Sequence, residues 1–357
     1  ASPILGALSD RFGRRRIILS ATAGSAIDYT IMANAPTLGW LFVARMISGA
    51  TAGILATANA YVVDVTPPEK RAGAFGMINA AFGLGIMLGP PLGGLLGHIN
   101  IHLPFWFAAA CSAMNWIWGF LVLPESLPPT QRRPVAWKRA NPIGALLALR
   151  RFPAVFGLTM AYFMVYLSQT MMQSIWALYT QERYHWSVLQ VGLSLMVAGG
   201  LMALLQATLV KHIVPRLGDT RAFIWGCWVW VLAFAAYGLA SAGWMIYATM
   251  VFGTMAGIAT PALQAYVTKH VPATEQGAVQ GVFSGLGSLS YIPGPLIATW
   301  SFGWAVADSR RVHLPGIAFF EAGLAVLIGM VLALRSFRRD RGMALPSLEA
   351  TEPATTA

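Results

Sequence analysis

The chain has 357 residues, 57% of them hydrophobic and only 10% charged, with a mean hydropathy of +0.61 and a net charge of +11. Soluble domains carry about 25% charged residues, so this composition excludes a soluble fold and requires much of the apolar surface to face lipid. The basic excess does not point to nucleic acid, because its distribution is one-sided. With residues 11–16 placed in the cytoplasm, 20 of the 24 Lys and Arg fall on the cytoplasmic side. Only Arg183, Arg310 and Arg311 fall outside, and Arg45 lies within a span. That bias is an orientation signal for a polytopic membrane protein.

In chain order, the segment "ASPILGAL" reads as the inner end of a helix whose first part precedes residue 1. With no initiator Met, the expectation is a chain lacking about one and a half helices of a longer bundle. Ten apolar runs then follow, each of a length that spans a bilayer as a helix: 17–35, 38–63, 73–97, 104–123, 153–180, 188–210, 222–242, 244–268, 278–302 and 315–334. The charged stretch "PESLPPTQRRPVAWKRANP" at 124–142 separates them into two groups. The expected organisation is a helical bundle over 1–123, a cytoplasmic loop over 124–151, a second bundle over 152–335 and a cytoplasmic tail over 336–357. Cys111 and Cys227 lie in spans of different halves and are expected as small buried side chains. No His, Cys, Asp or Glu spacing suggests a metal site or nucleophilic catalysis, so the expectation is a non-enzyme without a cofactor.

The two groups repeat at a fixed offset. "RFG" at Arg11 recurs as "RLG" at Arg216, "AYV" at Ala60 recurs at Ala265, Pro67 matches Pro272, Gly76 matches Gly281, and "GP" at Gly89 recurs at Gly294, each 205 residues later. A general richness in Gly and Pro cannot produce one constant offset. Duplicated bundles with a site between them are a recurring transporter architecture.

Several charges and polar groups stand out against the apolar background. In "GALSDRFGRRR", residues 6–16, Gly6 suits close helix packing, and Asp10 suits the amino end of a neighbouring helix. One of Arg11, Arg14 and Arg15 is placed to pair with Asp64; the bland alternative is a positive-inside anchor. Asp28 and Arg45 are charges within spans, by default a functional pair. They lie eight residues before and nine after Pro36, hence at similar depth. A purely structural ion pair is the competing reading. Tyr162, Tyr166, Gln169, Gln173 and Trp176 follow spacings of 4, 3, 4 and 3, which keep one helical face. With Asn59, Gln206, Gln264 and Gln280 they suit either a planar amphipathic ligand or hydrogen bonding between helices. In "GLGIMLGPPLGG", Gly85, Gly89 and Gly93 stack at four-residue spacing beside Pro90, Pro91 and Gly94, a flat face for close packing with a bend.

These motifs carry a family resemblance. "GALSDRFGRRR" resembles the signature loop of the major facilitator superfamily, including its Gly13, and "GLGIMLGPPLGG" resembles the glycine-proline motif of its drug/proton antiporters. "SAIDY", "ARMISGATAG", "WALYTQERYHWS", "TPALQAYV" and "EQGAVQG" are similar to the tetracycline/proton antiporters. The resemblance implies an all-α fold of two pseudo-symmetric six-helix bundles, here without the first helix and part of the second. It implies proton-driven export of tetracycline-like drugs by a monomer in the bacterial cytoplasmic membrane, with a proton gradient and no cofactor. It also implies a cytoplasmic gate at residues 6–15 with Asp64. The chain departs from some relatives at Met202, where certain exporters place a histidine, and in 222–242, which has no acidic residue. A metabolite transporter of the same fold, and a membrane sensor or scaffold on it, are the alternatives.

Overall fold

A computed structural model describes residues 2–128, 130, 132, 153–269, 276–307 and 314–342. Much of the expected central loop and tail therefore lies outside the described residues. Among those described, all regular structure is helical: α1 (Ser2–Phe12), α2 (Arg14–Asn34), α3 (Leu38–Thr51), α4 (Ile54–Val65), α5 (Arg71–Ile99), α6 (Leu103–Val122), α7 (Pro153–Tyr184), α8 (Val188–Leu217), α9 (Asp219–Leu239), α10 (Gly243–Thr254), α11 (Ala259–Lys269), α12 (Gln276–Ser290), α13 (Pro293–Val306) and α14 (Ile317–Gly342). Two short 3₁₀ turns, Pro68–Lys70 and Met255–Ile258, precede α5 and α11.

Six of these helical stretches are long and apolar enough to cross a bilayer: Gly73–Ile99, Leu103–Val122, Val188–Leu205, Asp219–Leu239, Gly243–Lys269 and Ile317–Arg339. The other expected spans coincide with α2 and α7, which carry more polar residues, and with two interrupted runs. The run 38–63 breaks at Ala52–Gly53, and 278–302 breaks at Tyr291–Ile292 before Pro293. Proline fits the first turn of α13 because its missing N–H would have no partner there. Pro36 closes α2 in the same local way, since the residue before a proline is pushed out of helical backbone.

The chain divides into two compact units: Ala1–Asn141 with His185–Ala203, and Pro142–Tyr184 with Leu204–Ala357. In the first, α2 packs along α6 and also meets α3 and α4, while α1 lies on α4. In the second, α7 and α14 form the central pair, flanked by α9, α12 and α13. The core there is aromatic: Tyr179, Phe223, Phe234, Phe283 and Phe319 are buried. Leu38, Leu121 and Trp300 are 81, 74 and 74% exposed. Large apolar side chains so open require a lipid solvent.

Two expectations about packing are corrected. Cys227 is buried as expected, but Cys111 is exposed on the outer face of α6. A Cβ at Gly85, Gly89 or Gly93 would meet nothing within 4 Å, so the close face of α5 is not the one those three define. It lies a fraction of a turn away, at Met87, Pro90 and Gly94. A Cβ at Gly192 of α8 would stand 2.5 Å from the Pro90 carbonyl oxygen, and one at Gly94 would stand 3.0 Å from the Val188 carbonyl oxygen. Further along, a Cβ at Gly199 would lie 3.6 Å from Met87 Cα. The glycines that matter for this crossing are therefore one on α5 and two on α8, within the first unit.

Candidate functional site

At one end of the first unit, α1 and α2 meet at Gly13, whose φ of 101° and ψ of 148° belong to a region that glycine alone adopts readily. The turn delivers Arg14 as the first residue of α2, and its side chain gathers the surrounding acids. Arg14 Nη1 lies 2.6 Å from Asp10 Oδ1 and donates to Ser9 Oγ at 2.5 Å; Nε donates to Asp64 Oδ2 at 3.2 Å. Ser126 Oγ donates to the same Asp64 oxygen at 3.1 Å. One of Arg11, Arg14 and Arg15 was expected to pair with Asp64, and it is Arg14. Arg15 instead donates to the Phe120 carbonyl at 2.6 Å, and exposed Arg11 lies 5.2 Å above the Phe12 ring.

The N-terminus of α2 begins with three arginines and has no acidic residue in its first turn. Its partial positive charge is met by Glu125, whose Oε1 accepts the Arg14 N–H at 2.8 Å and the Leu127 N–H at 3.2 Å. The role expected of Asp10, a carboxylate at a helix amino end, is thus filled for α2 by Glu125, while Asp10 pairs within its own stretch. A Cβ at Gly13 would meet the Glu125 carboxylate, the movable end of a side chain, which would have to loosen its hold on the Arg14 and Leu127 amides to make room. At Gly6 a Cβ would meet nothing within 4 Å among the described residues, and the close approach expected there is not made.

Deeper in the same unit, Arg45 on α3 reaches Asp28 on α2, with Nη2 3.5 Å from Oδ2. Asp28 is 2% exposed and Arg45 56%. Asp28 Oδ1 is buried without a hydrogen-bond partner among the described residues. Arg45 Nη2 also lies 2.6 Å from Met32 Sδ, a weak acceptor. Gly24, one turn before Asp28, leaves the space that the Thr51 methyl occupies. Asn59 is half-buried on α4.

In the second unit the face expected on α7 divides. Tyr162 and Trp176 are buried in the bundle, at 3 and 4% exposure. Tyr162 packs its ring, tilted, against Tyr166 at 4.6 Å and Phe283 at 4.5 Å, and accepts a hydrogen bond from Gln264 Nε2 at 3.3 Å. Trp176 meets the edges of Tyr237 and Phe319 at 5.5 and 6.4 Å. Those two aromatics belong to the core, packed against Phe283 and against Tyr237 and Phe319. Tyr166 and Gln169 are half-buried and Gln173 is exposed, so these three are the members of the face open to a ligand. The side chains of Gln206 and Gln280 lie outside the described residues.

The sequence profile of the Major Facilitator Superfamily matches residues 1–295 and again 158–352. The class C tetracycline resistance protein of Escherichia coli is 39% identical over 334 residues, covering 94% of this chain and 83% of that protein. The chain belongs to the Major Facilitator Superfamily. Within it, the class G tetracycline resistance protein of Vibrio anguillarum is 35% identical over 302 residues, covering 83% of this chain and 75% of the relative. Among solved structures, the human organic anion transporter MFSD10 (TETRAN) aligns with a TM-score of 0.67 at 25% identity, covering 93% of this chain and 80% of that one. Members of this superfamily are transporters rather than enzymes, and this one is a multi-pass membrane protein of the tetracycline-resistance type.

Glu125, Ser126 and Ser9 were missed by reading the motif alone. Glu125 stood in "PES", directly after a span, where an acid among basic residues departs from a pure orientation signal. No local pattern ties residue 125 to residue 14; only the packing of α6 on α2 does. Gly192 and Gly199 were missed because their importance depends on a partner helix distant in sequence.

Proposed function

We propose that this protein exports tetracycline-like amphipathic drugs across a bacterial cytoplasmic membrane in exchange for protons, working by alternating access as a monomer without a cofactor. The observation that carries the reading is Asp28, a buried carboxylate on a membrane helix with one oxygen toward Arg45 and the other unpartnered. A charge at membrane depth costs about 2.5–3.5 kcal/mol on insertion scales and is retained where it has work to do. The unpartnered Oδ1 has an open valence for a proton while Oδ2 faces the guanidinium. Protonation there weakens the attraction for Arg45, which is exposed enough to find another partner. In this reading the coupling step is a change of partners between α2 and α3.

Tyr166, Gln169 and Gln173 supply a half-apolar, amide-bearing face suited to a planar cargo, and the identity to tetracycline resistance proteins supports that class of drug. The cluster of Asp10, Arg14, Asp64 and Glu125, at one end of the first unit, serves in this reading as the cytoplasmic gate. The test is Asp28→Asn in the full-length protein. Energised inside-out vesicles are expected to lose at least ten-fold in tetracycline uptake, with unchanged membrane level and thermal stability. Uptake at the wild-type rate by that variant would reduce Asp28 to a structural residue.

A further inference from the structure

In the second unit, α9 and α14 lie side by side and run in opposite directions. At one end the rings of Phe223 and Phe337 meet at 6.2 Å; at the other, a Cβ on Gly238 would stand 2.7 Å from the Phe320 ring. The start of α9 and the end of α14 therefore share one end of this unit, the end expected in the cytoplasm. There α9 begins at Asp219, after a turn at Gly218 with a φ of 76°.

Each helix turns one row of side chains away from the unit's core. On α9 the row is Arg221, Trp225, Trp228 and Leu232, all exposed, at spacings of 4, 3 and 4. On α14 it is Leu324, Ile328, Val331, Arg335 and Arg338, at spacings of 4, 3, 4 and 3, with Arg339 beside them and all exposed. Such spacings keep each row on one helical face. Both faces are apolar for most of their length, as a lipid solvent demands, and both end in arginine at the same end. Trp225 stands one turn from Arg221, a depth at which tryptophan meets the headgroup layer.

These four arginines differ from other cations that the charge pattern places in the cytoplasm. Arg14, Arg15, Arg71 and Lys269 all hold protein partners. Arg221, Arg335, Arg338 and Arg339 make no hydrogen bond or ion pair among the described residues. Asp219, two residues before Arg221, is taken by Lys269, and the side chain of Asp340 lies outside the described residues. An orientation signal requires charge on one side of the membrane, but neither a common face nor continuity with a lipid-exposed row. Apolar rows that lead to unpartnered guanidinium groups match a molecule with acyl chains at one end and a phosphate at the other. Guanidinium forks suit phosphate oxygens, and basic sites at the cytoplasmic ends of membrane helices take anionic headgroups.

We propose that the outward face of α9 and α14 binds an anionic phospholipid of the cytoplasmic leaflet. Arg221, Arg335, Arg338 and Arg339 hold its phosphate, and its chains lie along Trp225, Trp228, Ile328 and Val331. The site rests on the membrane orientation expected for the chain and not on the drug or the proton, so its test needs neither. Full-length protein in nonionic detergent is mixed with equal amounts of phosphatidylglycerol and phosphatidylcholine of the same acyl chains, and bound lipid is counted by native mass spectrometry. The parent is expected to retain phosphatidylglycerol over phosphatidylcholine by about five-fold. Arg221→Gln with Arg338→Gln is expected to bring the two lipids within two-fold of each other. Arg221→Lys with Arg338→Lys is expected to keep at least half of the preference. Arg16→Gln with Lys70→Gln removes the same charge from the first unit and is expected to leave the preference unchanged. Excess inorganic phosphate, which has no chains, is expected not to displace the lipid. The parent measurement needs no variant, so the site stays testable where a substitution impairs insertion. Equal retention of both lipids by the parent, an unchanged preference in the Arg221 and Arg338 glutamine pair, or an equal loss in the Arg16 and Lys70 pair would overturn the site. Displacement by inorganic phosphate would overturn it too, by reducing it to a plain anion site.

Discussion

The two ends of the repeat make the same turn with opposite electrostatics. In the first unit, an arginine at a helix start is held by Asp10, Asp64 and Ser9, and the helix end it burdens is served by Glu125 from the segment after α6. In the second unit, Asp219 serves the helix end itself, and one lysine completes the pair. A duplicated motif can thus reach one geometry by a dense network that compensates unfavourable charge placement, or by a sparse pair that needs none. The dense version resists change because removing any member strands the others. In the sparse version each charge has the sign that its own helix end favours.

The sharpest way to break this comparison is to remove Arg14. Its side chain is 11% exposed while Asp10 and Asp64 are 45 and 25% exposed, so Arg14→Ala takes their shared partner from two half-open carboxylates and is expected to cost about 1.5 kcal/mol, the low end for hydrogen bonds to charged groups. Thermal unfolding of purified protein in detergent measures it; a shift no larger than that of Lys269→Ala would remove the distinction between the two ends. A smaller effect separates the two glycines. Gly13→Ala meets both a backbone region costly for other residues and the Glu125 carboxylate, whereas a Cβ at Gly218 meets nothing within 4 Å. Both pay backbone strain of about 1–3 kcal/mol, and Gly13→Ala is expected to be the more damaging by a clear margin in the same assay. Equal losses would show that space around Gly13 is not limiting. The mildest change is Glu125→Gln, which keeps an acceptor for the α2 amides and removes only charge. About 0.3–1 kcal/mol is expected, shrinking with added salt; a salt-independent loss would assign Glu125 a packing role instead.

The part of this architecture that could be read from the chain is the part written in local pattern. Apolar length marked ten spans, six of which are helices long and apolar enough to cross a bilayer among the described residues; the shared offset suggested two bundles; and charge at depth singled out Asp28 and Arg45, which the fold brings to 3.5 Å. Arg14 was one of three candidates for Asp64, and choosing among them needed the turn at Gly13, which aims residue 14 and turns residue 15 toward Phe120. The stripe on α7 was read as one ligand-facing surface because helical spacing reports which residues share a face, not what covers it. Tyr162 and Trp176 share that face with Gln173 but lie under Phe283 and Phe319. The glycines of α5 failed for the complementary reason: Gly85, Gly89 and Gly93 form a regular row, yet the partner helix crosses at Pro90 and Gly94.

That crossing bears on how the protein lives with a charged membrane. Where a single Cβ on Gly192 would come within 2.5 Å of the Pro90 carbonyl oxygen, the two backbones leave no gap that a water molecule could enter. At that point of contact a file of waters able to relay protons cannot pass between the two backbones. Side-chain packing alone loosens with each thermal fluctuation, but backbone laid on backbone has little slack. A larger residue at position 192 would therefore show itself first as a passive leak of protons through resting cells, before any loss in the rate of pumping.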